Sequence, residues 1–217
     1  MKHICILGST GSIGTSTLSI IERYPERFAV ASLVAGRNLD LAFAQCQRWR
    51  PLLVSMATEQ LAGGLAARLE AADVTGIEVV YGSAGTVRAA TLPQVDFVVS
   101  AIVGLAGLEA TYAAVAAGKP VGLANKEAMV AAGEILTRLA RRDNVPLLPI
   151  DSEHNAIHQC MRGGRTRSSP HLADRLGRSV PSAPGGPVSA CHGRAGAAPP
   201  YLGYGPPGHH RFGHSAE

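Results

Sequence analysis

Short apolar runs alternate with alanine-rich stretches of helical spacing along residues 1–150, and that alternation restricts the chain to few folds. Ile4 to Leu7 leads through glycines into Ser16 to Arg23, whose apolar residues recur at helical spacing. Phe28 to Ala35 stops at Gly36 and gives way to Leu39 to Cys46. Leu52 to Ser55, a helix around Glu59 to Glu70, Ile77 to Tyr81 and Phe97 to Val103 continue the series. Then come helix Leu108 to Ala117, strand Val121 to Ala124, helix Glu127 to Arg142 and strand Leu147 to Ile150. The pattern predicts an α/β fold, a parallel sheet with helices on both faces. In such sheets ligands bind beyond the carboxyl ends of the strands. Attention therefore falls on Gly8 to Gly14, Gly36 to Asn38, Ser100 to Gly107, Asn125 to Glu127 and Asp151 to Asn155.

Gly8-Ser9-Thr10-Gly11-Ser12-Ile13-Gly14 lies between the first strand and the first helix. Glycines let a backbone turn tightly and approach a pyrophosphate, whose charge the helix N–H groups attract. The spacing departs from G-x-G-x-x-G, and a tight βα turn without ligand satisfies the same residues. With the strand-helix context the turn predicts a Rossmann-like dinucleotide-binding domain. Gly36-Arg37-Asn38 stands where many NAD-binding folds place an acid for the ribose hydroxyls. An arginine there suits a 2′-phosphate, and a solvated arginine fits equally well.

Asn125-Lys126-Glu127 opens a helix after a buried strand. The three side chains could join cofactor, substrate and a proton network, or form an ordinary capped helix start. Asp151-Ser152-Glu153-His154-Asn155 follows the last strand. If the chain stays extended, Asp151 and Glu153 share one side and could hold a hard cation such as Mg²⁺ or Mn²⁺. A capped loop with exposed acids is the alternative, and His154 is left outside the catalytic set.

With 217 residues, 46% hydrophobic and 17% charged, the chain has material for one ordinary domain and part of another. The net charge of +4 resides in residues 165–217, which carry six Arg, no Lys and two acids. Residues 1–164 balance at fourteen of each sign, which removes the argument for a nucleic-acid partner. Cys5, Cys46, Cys160 and Cys191 form no metal-ligand spacing, and reduced thiols are expected. The N-terminal apolar run is too short for a signal-peptide core or a membrane span, so no membrane partner and a cytoplasmic location are expected.

GSTGSIG, AGRN, SAIVGLAGL, LANKE and LLPIDSEHNAI, in order over residues 1 to about 162, resemble the 1-deoxy-D-xylulose 5-phosphate reductoisomerase family. The resemblance implies an oxidoreductase of the non-mevalonate isoprenoid pathway. Its phosphosugar substrate, 1-deoxy-D-xylulose 5-phosphate, would rearrange and be reduced by NADPH to 2-C-methyl-D-erythritol 4-phosphate. It assigns Thr10, Gly11, Ser12 and Ile13 to the cofactor pyrophosphate region, and Gly36, Arg37 and Asn38 to the adenosine 2′-phosphate end. Asn125 and Glu127 would also contact NADPH, and Lys126 would bind substrate. Asp151 and Glu153 would ligate Mg²⁺ or Mn²⁺, and Ser152 with Glu153 would touch substrate. The family is commonly homodimeric.

After Gly164 the text changes: residues 165–217 hold eight of the fourteen prolines and show no sustained period. The family continues with LTASGGPF and HPTWxMGPK motifs, absent here. His171 to Pro181, back-translated and read one base later, is compatible with ILLTASGGPF. Pro199 to Pro206 treated likewise is compatible with HPTWDMGP. The expected organisation is thus an NADPH-binding domain at 1–150, the truncated start of a catalytic domain at 151–164, and an out-of-frame, disordered tail at 165–217. A chain so divided is either an enzyme by descent whose catalytic half is cut short or an NADPH-binding module without chemistry. A genuine disordered interaction segment is a third reading of the tail. Sequencing the DNA between codons 155 and 175 on both strands decides the frame.

Overall fold

Seven strands form one parallel sheet in the computed structural model, which describes residues 1–163; the expected tail lies outside the described residues. The strands are β1 (Lys2–Leu7), β2 (Phe28–Val34), β3 (Leu53–Met56), β4 (Glu78–Tyr81), β5 (Phe97–Ser100), β6 (Val121–Leu123) and β7 (Leu147–Pro149). The helices are α1 (Ser12–Arg23), α2 (Leu39–Trp49), α3 (Glu59–Ala71), α4 (Gly82–Thr91), α5 (Leu108–Ala116), α6 (Lys126–Arg142) and α7 (Ser152–Gly163). The sheet order is β4-β3-β2-β1-β5-β6-β7, a doubly wound, Rossmann-like arrangement. The chain builds outward from β1 to β4, then returns to the centre with β5.

Alternation along β1 explains why both faces are covered. Ile4 and Ile6 enter one core with α1, α2 and α3, while Cys5 and Leu7 enter the other with α4, α5 and α6. Side chains such as Ile6, Leu7, Leu33 and Val98 are completely buried, each contributing about 1.5–3 kcal/mol. Among the described residues no helix is long and apolar enough to cross a membrane.

Within residues 1–150 two elements differ from expectation. The fifth strand ends at Ser100 rather than Val103: Ala101 makes the last bond to β1, through its N–H to the Leu7 carbonyl, after which the Ile102 carbonyl accepts from Asn125 and Gly104 turns at φ +73. Val103 is left 83% exposed. Helix α4 was not expected at all. Its sequence is poor in good helix formers, yet Gly85 lets it settle onto the sheet, where a Cβ would lie 2.8 Å from Ser55 Oγ. The Ser32 hydroxyl donates to the Ala89 carbonyl at 2.8 Å and fixes the docking.

Candidate functional site

Doubly wound sheets open a crevice where the strand order reverses, here between β1 and β5. The turn from Gly8 to Gly14 occupies that position. Gly8 has φ +90, and a Cβ on it would lie 2.7 Å from the Ala101 carbonyl oxygen, so the turn abuts the end of β5. The Gly8 and Ser9 N–H groups both donate to the Val34 carbonyl at 2.9 Å, tying the turn to the end of β2. A Cβ on Gly14 would lie 2.6 Å from Ser9 Cα, so α1 reaches the turn only with glycine there. Gly11 is different, since a Cβ would meet only the Gly8 oxygen, at 3.4 Å.

Helix α1 starts on backbone alone. Its N-cap is Gly11, no side chain caps it, and its first turn carries no acid. The first helical bond runs from Thr15 N–H to the Gly11 carbonyl at 2.9 Å. The N–H groups of Ser12, Ile13 and Gly14 therefore have no helical acceptor and present the positive end of the helix dipole. Thr10 is half-buried, while Gly11, Ser12 and Ile13 are exposed. Close backbone, free donors and absence of competing acids together suit a pyrophosphate.

Beside the turn, Gly36, Arg37 and Asn38 are exposed at the end of β2. Asn38 caps α2, its Oδ1 accepting the Leu41 N–H at 3.0 Å. Arg37 enters no ion pair among the described residues. Two buried polar residues that sequence reasoning missed lie underneath. Gln45 of α2 donates from Nε2 to the Ser9 carbonyl at 2.9 Å, and Ser9 itself is fully buried. The available signal was a glutamine at the apolar spacing set by Ala42 and Cys46.

Asn125 is 6% exposed and caps α6, accepting the Ala128 N–H at 3.1 Å. Its Nδ2 donates to the Ile102 carbonyl at 2.6 Å and also to the Gly104 carbonyl. The Asn125 side chain is thus spent on shaping the β5–α5 loop, while Lys126 and Glu127 are exposed. Ile13, Ala101 to Val103 and Ala124 to Glu127 line a 200 Å³ cavity between the turn and α6. A larger cavity of 530 Å³ between α6 and β7 has Asn125, Lys126, Asp151 and His154 among its walls. Asn125 and Lys126 belong to both.

The segment after β7 is not extended, which corrects the geometric basis for pairing Asp151 with Glu153. Asp151 instead caps α7, its Oδ1 accepting the His154 N–H at 2.8 Å, and the His154 ring Nδ1 lies 2.8 Å from the same oxygen. Aspartate before a helix and glutamate in its first turn are strong start preferences, and they override period-two alternation. Both carboxylates stand instead at a helix start, Asp151 as the cap of α7 and Glu153 in its first turn. Burial works against ionisation of Asp151, but the hydrogen bonds and charge of His154 outweigh it and hold the carboxyl below its ordinary value. For Glu153 the Ser152 hydroxyl at 2.7 Å leads, helped by its own N–H and the Lys126 ammonium, against the repulsion of Asp151; its carboxyl is also lowered. Such oxygen donors suit Mg²⁺ or Mn²⁺. No cluster of three or more His, Cys, Asp or Glu converges among the described residues.

The family model described as 1-deoxy-D-xylulose 5-phosphate reductoisomerase matches residues 4–133. The reductoisomerase of Anaeromyxobacter sp. (strain K) is 48% identical over 188 residues, covering 87% of this chain and 45% of its own. That of Methylococcus capsulatus is 48% identical over 187 residues, covering 86% and 47%. The chain therefore spans less than half the length of these curated relatives. Among solved structures, a reductoisomerase in complex with NADPH, fosmidomycin and magnesium superposes with a TM-score of 0.71 at 39% identity, covering 74% of this chain and 39% of that one. The Zymomonas mobilis enzyme in complex with NADPH gives a TM-score of 0.69 at 40% identity, covering 73% and 41%. With a family model matched from Ile4 into α6, the chain belongs to the 1-deoxy-D-xylulose 5-phosphate reductoisomerase family.

Proposed function

We propose that residues 1–150 are the NADPH-binding domain of a 1-deoxy-D-xylulose 5-phosphate reductoisomerase and that residues from Asp151 onward begin its catalytic part. The observation that carries this reading is the start of α1, where free N–H groups follow a turn that admits no side chain at Gly8 or Gly14. Thr10, Gly11, Ser12 and Ile13 hold the pyrophosphate there. Gly36 and Asn38 frame the adenosine end, and Arg37 offers its guanidinium to the 2′-phosphate. Asn125 shapes the nicotinamide side of the cleft from beneath, with Glu127 at its rim.

Lys126 holds the anionic substrate on the same helix start, and Ser152 with Glu153 touches it from α7. Asp151 and Glu153 hold the cation, with His154 orienting Asp151. NADPH supplies a hydride, and Mg²⁺ or Mn²⁺ supplies polarisation of the substrate's carbonyl and hydroxyl oxygens. The two titratable carboxyls are both held below their ordinary values, so both are ionised and ready for a cation at neutral pH.

A second reading, an NADPH-binding module without turnover, is favoured by the two-carboxylate count among the described residues. Binding and chemistry separate in one experiment. NADPH fluorescence titration of the 217-residue chain is paired with NADPH oxidation in the presence of 1-deoxy-D-xylulose 5-phosphate and Mg²⁺. Binding with turnover supports the enzyme, binding alone supports the module, and no binding removes both.

A further inference from the structure

We propose that Gln45 is a positioning residue for the anion site, aiming the Thr10 N–H outward by holding the Ser9 carbonyl inward. A trans peptide points its C=O and N–H in opposite directions. The Ser9 carbonyl accepts from Gln45 Nε2 at 2.9 Å, and Gln45 is only 4% exposed, so that carbonyl faces the protein interior. The Thr10 N–H on the same peptide faces the other way, toward exposed Gly11, Ser12 and Ile13. No backbone acceptor among the described residues takes it. Gln45 Oε1 has no hydrogen-bond partner among the described residues, so the amide is a poor choice for packing alone. Gln45 belongs to α2, the helix that Asn38 caps. One rigid helix thereby sets both the adenosine end and the pyrophosphate turn. This inference rests on the cofactor reading above.

The test is Gln45→Met in the full chain, which keeps length and volume but removes the donor. The proposal expects an NADPH Kd raised about 10-fold, the size of one lost hydrogen bond, with a ligand-free Tm lowered at most slightly, since the Ser9 carbonyl loses its donor while the unpaired Gln45 Oε1 is removed with it. Adenosine 2′-phosphate, which has no pyrophosphate, should bind the variant as it binds the parent. Equal losses for both ligands together with a markedly lower Tm would make Gln45 merely structural, and an unchanged NADPH Kd would also overturn the proposal. If the parent binds no NADPH, the cofactor reading fails by itself. The ligand-free amide NMR spectrum then still decides on Gln45: beyond residue 45 and its neighbours in α2, the proposal expects shifts at Ser9 through Ile13, and an unperturbed Thr10 resonance rejects it.

Discussion

Helices α1 and α6 both start at the carboxyl edge of the sheet, but their first turns are completed differently. The start of α6 is closed by side chains, with Asn125 taking the Ala128 N–H and binding two loop carbonyls, and Glu127 adding a negative charge. The start of α1 has glycine as its cap, no acid and donors with no helical acceptor. A satisfied helix end is architecture, whereas an unsatisfied one with a bare backbone is ready for an anion. The two helix starts therefore divide into one closed by its own side chains and one whose backbone donors have no helical acceptor.

That contrast can be broken most violently at Gly14. Gly14→Val forces a side chain into the Ser9 backbone and should cost about 3 kcal/mol or more, roughly 10 °C in Tm by calorimetry. Asn125→Ala should cost about 2 kcal/mol by urea unfolding, because a cap is lost and the loop carbonyls lose their donor. Gly11→Ala has room, so stability should stay within about 1 kcal/mol of the parent. Its methyl group stands at the ligand side, and titration should show NADPH affinity reduced. The smallest effect on folding is expected for Asp151→Asn, since asparagine also caps. Mn²⁺ affinity measured by calorimetry should nevertheless fall about tenfold or more. In the parent, Asp151's contribution to Mn²⁺ binding should persist as pH is lowered from 7 and decline only below the ordinary carboxylate range, because its carboxyl is held beneath that range.

Sequence patterning located all seven strands, since each is a short apolar run with a turn after it. It overlooked α4 because the helix is stabilised by the close approach at Gly85 and the Ser32 to Ala89 bond, both tertiary. It extended the fifth strand through Ile102 and Val103 because apolar character persists where the loop bends. At the site, the glycine turn and the acid pair were legible as residue types. At Asp151 the sequence supports both an extended segment, which would put Asp151 and Glu153 on one side, and a capped loop; the structure has Asp151 capping a helix, which no periodic apolar run announces. Gln45 carried no motif, and its partner is a backbone carbonyl 36 positions away in sequence, invisible to local pattern.

The alternation that buries β1 on both sides also places a thiol at the centre of the sheet. Cys5 is fully buried, and desolvation pushes its pKa up to about 12 despite a hydrogen bond with Ser32. A group so protonated and enclosed is inert to alkylating reagents while β1 stays paired between β2 and β5. Its rate of modification is then a clock for opening of the sheet's middle, with exposed Cys160 as the fast internal standard. Anything that clamps the glycine turn at the end of β1 should slow that clock.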